Sequence, residues 1–375
     1  MVNRIFSSGI ALLLSVLSVI PCTVKAEDEL RVSAESAVLI ETESGEILFE
    51  KNCEQRLPMA STTKIMTALV VIEQGNTDRV VEVAPEAVGV EGSSMYLKAG
   101  EKLTVKELLY GLMLESANDA ATALAYAVSG GTEEFAALMN ERARKLGTRN
   151  THFTNPHGLD DEEHYTTAHD LAMITREAMK NELFCEIVST HNKTVPLNGE
   201  DGIRSLVNHN RLLKTYEGAV GVKTGFTKRS GRCLVSAAER GGIRLVAVTL
   251  NAPNDWEDHK RMLDLGFDTL ERISVAEPRQ IFYDLPVVGG VSQSVRCSNR
   301  DFFSAVLPKG SRVVTRIEAD RYFPAPVNIG DALARAVFYA DGEEIGSIPL
   351  FAEHSVAESD EKPSLFERIL RLFGR

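Results

Sequence analysis

The stretch "MASTTKIMTALVVIE", residues 59–73, decides how the chain is read. Ile65, Met66, Leu69, Val70 and Ile72 recur at helical spacing, which predicts a buried helix. Lys64 sits against this apolar run, three residues after Ser61. An ammonium in a core is costly unless it is paired or gives up its proton. Residues three apart share a helix face, so Lys64 reaches the Ser61 hydroxyl. A lysine kept neutral by apolar surroundings can take a serine proton, which is how a serine nucleophile is activated. With Ser61 at the helix start, its own N–H is also free to stabilise an oxyanion.

The pattern Ser-x-x-Lys alone arises about once by chance in a chain this long, so its weight comes from its place on the helix and from its companions. Two such companions stand later in the chain. "ESAND" places Ser116-Ala117-Asn118 at a break between two helical runs, where Ser116 can shuttle a proton and Asn118 can hold a substrate amide. "GVKTGFT" places Lys223-Thr224-Gly225 on an expected strand. An exposed strand edge binds an extended peptide through its backbone. Lys223 and Thr224 would there meet a carboxylate, and Gly225 would let the substrate backbone come close.

The rest of the chain frames these elements. It has 375 residues, 44% hydrophobic and 25% charged, with a net charge of −12. Length favours two domains, and the acidic balance excludes nucleic acid as a partner. Residues 1–26 carry Arg4, an apolar run from Ile10 to Ile20 and a small residue at Ala26, the layout of a cleaved signal peptide. Such a leader implies export to the outer face of the cytoplasmic membrane or the cell wall. Cys53, Cys185, Cys233 and Cys297 are scattered without metal-ligand spacing and give no disulfide pairing. His164 and His169 stand among acids but are five apart, not the four a metal-binding helix needs, so no metal and no cofactor are expected.

Residues 35–52 read as a hairpin turning at Glu43-Ser44-Gly45. Residues 104–130 read as helix broken near Glu115-Ser116, and 132–147 as a helix with Thr132 as N-cap and Gly147 as its stop. Short β-rich runs fill 219–252, and 255–273 returns to helix. Strands at both ends with helices between predict an α+β domain over 27–275. Residues 276–352 read as a small all-β domain and 353–363 as an acidic linker. Residues 364–375 read as an amphipathic helix with Leu365, Phe366, Ile369, Leu370 and Phe373 on one face. Arg368, Arg371 and Arg375 complement them, as on a membrane-surface helix.

Ser-x-x-Lys, Ser-x-Asn and Lys-Thr-Gly in this order resemble the penicillin-binding proteins and β-lactamases. "SMYLKAGEKLTVKELLYGLMLESANDAA" (94–121), "FTNPHGLDDEEHYTTAHDLA" (153–172) and "NHNRLL" (208–213) extend the likeness to the D-alanyl-D-alanine carboxypeptidases of low molecular mass. The resemblance implies a β-lactamase/transpeptidase-like domain, an antiparallel sheet with helices and a helical subdomain, followed by the β domain. It implies that Ser61 forms an acyl-enzyme with the penultimate D-Ala of a peptidoglycan stem peptide ending in D-Ala-D-Ala, with Lys64 as general base. Ser116, held by Asn118 and Lys223, would relay a proton to the leaving amine. Thr224 would contact the carboxylate, and the N–H groups of Ser61 and Phe226 would form the oxyanion hole. β-Lactam antibiotics would acylate Ser61 as substrate mimics.

Some relatives carry Ser-Gly-Asn where this chain has Ser-Ala-Asn, and His with a later Arg where it has Phe226, so a second carboxylate contact is left without a residue. A class A β-lactamase would need an E-x-x-L-N segment, which the chain lacks. A D,D-endopeptidase on cross-linked wall and a non-catalytic wall-binding relative are the alternatives.

Overall fold

The computed structural model describes residues 30–197 and 202–360. The expected signal peptide and terminal helix lie outside them. The N-terminal hairpin is β1 (Ser36–Glu41) and β2 (Ile47–Lys51). A 3₁₀ turn, Ala60–Thr63, feeds α1 (Lys64–Glu73), and every residue from Lys64 to Ile72 is buried. A helix buried on all sides belongs at the centre of a core. A ribbon of β3 (Val80–Glu82) and β4 (Lys102–Thr104) precedes α2 (Val105–Leu114). Thr104 and Glu107 start α2 with a reciprocal capping box, satisfying two of its free N–H groups. Then come α3 (Asn118–Ser129), α4 (Thr132–Lys145), α5 (Ala168–Ala178) and α6 (Glu182–Ser189). The helix of 132–145 has Gly131 at its N-cap position, so Thr132 is its first residue rather than the cap.

A second ribbon, β5 (Asn192–Pro196) with β6 (Ile203–Val207), and the single turn α7 (Leu212–Thr215) lead into β7 (Ala219–Thr227). Next are β8 (Gly231–Arg240), β9 (Ile243–Leu250) and α8 (Asp255–Thr269). The five-stranded antiparallel sheet runs β2-β1-β9-β8-β7, so the two ends of this α+β unit meet where β1 pairs with β9. All of β1 and nearly all of β9 are buried, because helices including α5 and α8 cover the sheet. Asp258 on α8 ties down the start of the unit by accepting from the Ser33 N–H at 2.9 Å and the Ser33 hydroxyl at 2.6 Å. His259 is buried between the hydroxyls of Ser236 and Thr249, a structural histidine that pins α8 to β8 and β9.

The helical spacing across 255–273 gives way earlier than expected. α8 stops at Thr269, and β10 (Leu270–Ala276) pairs with β13 (Phe303–Pro308). Leu270 and Ile273 fit either period, and pairing with a distant strand wins over local pattern. The all-β part also contains β11 (Phe282–Val288), β12 (Ser294–Asn299), β14 (Val313–Ala319), β15 (Phe323–Pro324), β16 (Ala332–Ala340) and β17 (Glu343–Ala352). Their six-stranded sheet has the order β14-β16-β17-β12-β11-β15 and its own core around Leu285, Val295, Phe338 and Leu350. The stretch expected to begin a free linker at 353 is held against this sheet. Val356 is buried and bridges to Val327, and Glu358 bridges to Gly290. Polar composition hid a single apolar anchor.

Candidate active site

Ser61 lies half-buried on the 3₁₀ turn ahead of α1. Ala60, just before it, has φ +48°, a left-handed backbone that is strained for a residue with a Cβ. Lys64 is fully buried, and its Nζ stands 3.0 Å from Ser61 Oγ, 2.7 Å from Asn118 Oδ1 and 2.6 Å from the His157 carbonyl. Two of these partners are oxygens that can only accept. A neutral amine would spend its two N–H bonds on them and keep its lone pair for the serine hydroxyl. Burial, and then the charge of Lys223, push the Lys64 pKa well below the lysine range, while Asp119 opposes them. The arrangement fits a base poised on Ser61.

Ser116 and Ala117 lie in the break between α2 and α3, and Asn118 opens α3. Ala117 has φ −65° and extended backbone, so alanine costs nothing there. Ser116 instead takes the left-handed conformation, at φ +59°, and lines the cleft. Asn118 is expected to hold a substrate amide and to steady Ser116; its partners within the protein are Lys64 and the loop before α2. Asn118 Oδ1 accepts from Lys64, its Nδ2 donates to the Glu91 carbonyl at 2.5 Å, and its N–H donates to the Ser93 carbonyl at 2.7 Å. Within the protein the amide thus joins the base to the neighbouring loop. Asp119 fastens the same loop, accepting from Ser94 Oγ and the Met95 and Leu97 N–H groups.

Lys223, Thr224, Gly225 and Phe226 lie on β7, the edge strand of the main sheet. Lys223 is buried, which brings its pKa down to about 7. Its Nζ donates to the Thr224 carbonyl at 2.9 Å, not to Ser116 as the resemblance implies. Gly225 passes so near the nucleophile turn that a Cβ there would lie 3.1 Å from Ser61 N and 3.2 Å from Ala60 Cβ. Ser61, Ser116, Thr224, Gly225 and Phe226 share one open cleft of about 450 Å³. Neither His164 nor His169 lines this cleft. His164 is bound to Thr63 and Thr154, and His169 pairs with Glu54 at 2.8 Å.

The profile of the D-alanyl-D-alanine carboxypeptidases, peptidase family S11, matches residues 23–254. The chain belongs to this family. It is 34% identical to D-alanyl-D-alanine carboxypeptidase DacF of Bacillus subtilis over 89% of each chain. It is 32% identical to DacC of Escherichia coli over 87% of this chain and 85% of that one. Penicillin binding protein 5 from Haemophilus influenzae has a similar structure, with a TM-score of 0.69 at 31% identity over 88% of this chain and 98% of that one. The DD-transpeptidase of Streptomyces K15 aligns with 64% of this chain and 98% of its own, with a TM-score of 0.60 at 35% identity. The fold is the transpeptidase-like α+β domain followed by a β domain, and the chain is a serine-type D-alanyl-D-alanine carboxypeptidase.

Sequence reading missed part of this carboxypeptidase's cleft. Arg232 on β8 stands across from Phe226 and lines the cleft with Arg211, His209 and Trp256. Its guanidinium is 2.9 Å from Asp255 and lies over the Trp256 ring at 5.9 Å. Counting the hairpin register back from "KTGFT" would have found it. The His157 carbonyl had no such signal, because a backbone acceptor leaves no mark on residue type.

Proposed function

We propose that this carboxypeptidase removes the terminal D-Ala of peptidoglycan stem pentapeptides through an acyl-enzyme on Ser61. The Lys64 amine takes the Ser61 proton as Oγ bonds to the carbonyl carbon of the penultimate D-Ala. The oxyanion is held by the N–H groups of Ser61 and Phe226. Ser116 passes a proton to the nitrogen of the terminal D-Ala as its C–N bond breaks, and water then hydrolyses the ester. The Thr224 hydroxyl and the Arg232 guanidinium hold the substrate carboxylate, supplying the contact that Phe226 cannot. The observation that carries the reading is the Lys64 amine, buried and within 3.0 Å of Ser61 Oγ with its other donors occupied. Penicillin acylates the same serine and leaves slowly.

Export through residues 1–26 and surface attachment through 364–375 place the enzyme at the outer face of the cytoplasmic membrane, beside its substrate. Their support is the signal-peptide layout and the cationic amphipathic face. Among the described residues no helix is long and apolar enough to cross a membrane.

Intact-protein mass after incubation with penicillin tests the site. One adduct is expected on the chain starting at Glu27 and none on Ser61→Ala; an adduct that survives in Ser61→Ala overturns the assignment. Arg232→Ala should raise KM for a D-Ala-D-Ala peptide about 10–100-fold, the worth of a hydrogen bond to a charged group. A peptide ending in a carboxamide should show no such difference between wild type and variant. Equal losses on both peptides would remove Arg232 from the carboxylate site.

A further inference from the structure

His164 is a buried, polar side chain to which the reaction above gives no task. It comes from the loop 154–164, which runs beneath the nucleophile turn and already supplies the His157 carbonyl to Lys64 and the Pro156 carbonyl to Thr67 Oγ1 at 2.6 Å. Both ring nitrogens of His164 are engaged. Nδ1 accepts from the Thr154 N–H at 3.0 Å, which puts the proton on Nε2. Nε2 then donates to Thr63 Oγ1 at 2.8 Å, and Thr63 Oγ1 donates to the Ala60 carbonyl at 2.8 Å. The ring is held in place by Phe153, whose ring meets His164 at 5.8 Å in a T-shaped contact. Burial lowers the His164 pKa to about 4, so the ring is neutral at neutral pH and this donor–acceptor order is stable.

The chain of bonds ends on a strained residue next to the nucleophile. Ala60 holds a left-handed conformation without being glycine, and such strain persists only where surroundings over-determine it. Its ψ and carbonyl direction set where the next residue, Ser61, aims its hydroxyl and its N–H. We propose that His164 is a positioning residue for the nucleophile: through Thr63 it clamps the Ala60 carbonyl and so fixes the turn that presents Ser61. The inference rests on Ser61 being the nucleophile.

The test compares acylation by a fluorescent penicillin with turnover of a D-Ala-D-Ala peptide in the full chain. His164→Phe keeps ring volume and removes both hydrogen bonds; it should acylate about 10–100-fold more slowly, as a small misplacement of reacting groups does. The loss should fall on kcat, with KM within about threefold of wild type. His164→Gln, with one donor and one acceptor, should recover most of the rate. Thr63→Val should be as slow as His164→Phe, and the double variant no slower than either, because both break one chain of contacts. Wild-type acylation in His164→Phe, a loss confined to KM, or losses that multiply in the double variant would each overturn the proposal. If His164→Phe does not fold, His164→Gln and Thr63→Val carry the comparison. Failure of wild type to acylate, or acylation of Ser61→Ala, would instead bring down the reading of the site and this proposal with it.

Discussion

Lys64→Met should acylate with penicillin about 10²–10⁴-fold more slowly than wild type, the range by which a positioned general base accelerates a reaction. Methionine keeps the length and flexibility of the side chain in a fully buried site, so packing changes little while the proton acceptor is lost. Wild-type acylation should rise with pH as Lys64 gives up its proton and level off above its depressed pKa. The variant should lose that limb of the profile. A variant with the wild-type rate and the same pH dependence would remove Lys64 from the proton transfer.

The same depression links protonation to stability. The unfolded lysine holds its proton up to about 10.5, and the folded one releases it at lower pH, so between these values the unfolded state binds more protons. Stability from this group is therefore full above 10.5 and is lost as pH falls through the folded pKa. Lys223, lowered to about 7, adds in the same direction. Denaturant midpoints of wild type relative to Lys64→Met should accordingly improve with rising pH.

Gly158→Ala should be the most damaging small substitution near the site. Gly158 has φ +89°, and a Cβ there would sit 1.9 Å from the Ala60 carbonyl oxygen and 2.8 Å from Thr63 Oγ1. No rotamer relieves a clash with backbone. A left-handed alanine and an overpacked core together cost about 2–5 kcal/mol. Because the collision is with Ala60, the turn bearing Ser61 must move, and acylation should fall along with stability. Urea denaturation and acylation of the same preparation measure both. A midpoint and an acylation rate matching wild type would show that the loop yields more easily than its close packing suggests. Gly147→Ala makes a useful companion, since it shares a positive φ but has no heavy atom within 4 Å of the added carbon. It separates backbone strain from collision.

The parts of this molecule legible in the sequence are those whose chemistry is written in side chains close together. Ser61 and Lys64 share one helix start, the hairpin around Gly45 has an alternating pattern, and Lys223-Thr224-Gly225 lies on a regular strand. The hidden parts depend on distant partners. Leu270–Ala276 has a helix-compatible spacing and becomes a strand only because Phe303–Pro308 pairs with it. Asn118 stands out in the sequence by its motif, yet its partners are Lys64 and the Glu91 carbonyl, a choice that only the fold makes. Arg232 is hidden by register, and the anchoring of Val356 by the polar residues around it.

The pairing of β1 with β9 has a consequence for how the chain comes into being. Ser33 and Asp258, which join beside that pairing, are 225 residues apart. A chain made and delivered from its N-terminus has the β1–β2 hairpin early, but must wait for β9 before that hairpin has a neighbour other than itself. Pairings of such long range are slow to form and leave strand edges open in the meantime. The nucleophile turn waits as well, because its wall is Gly225 on β7. Activity is thus a late event in biogenesis: a chain stalled before β7 carries its serine and lysine but has no cleft in which to use them.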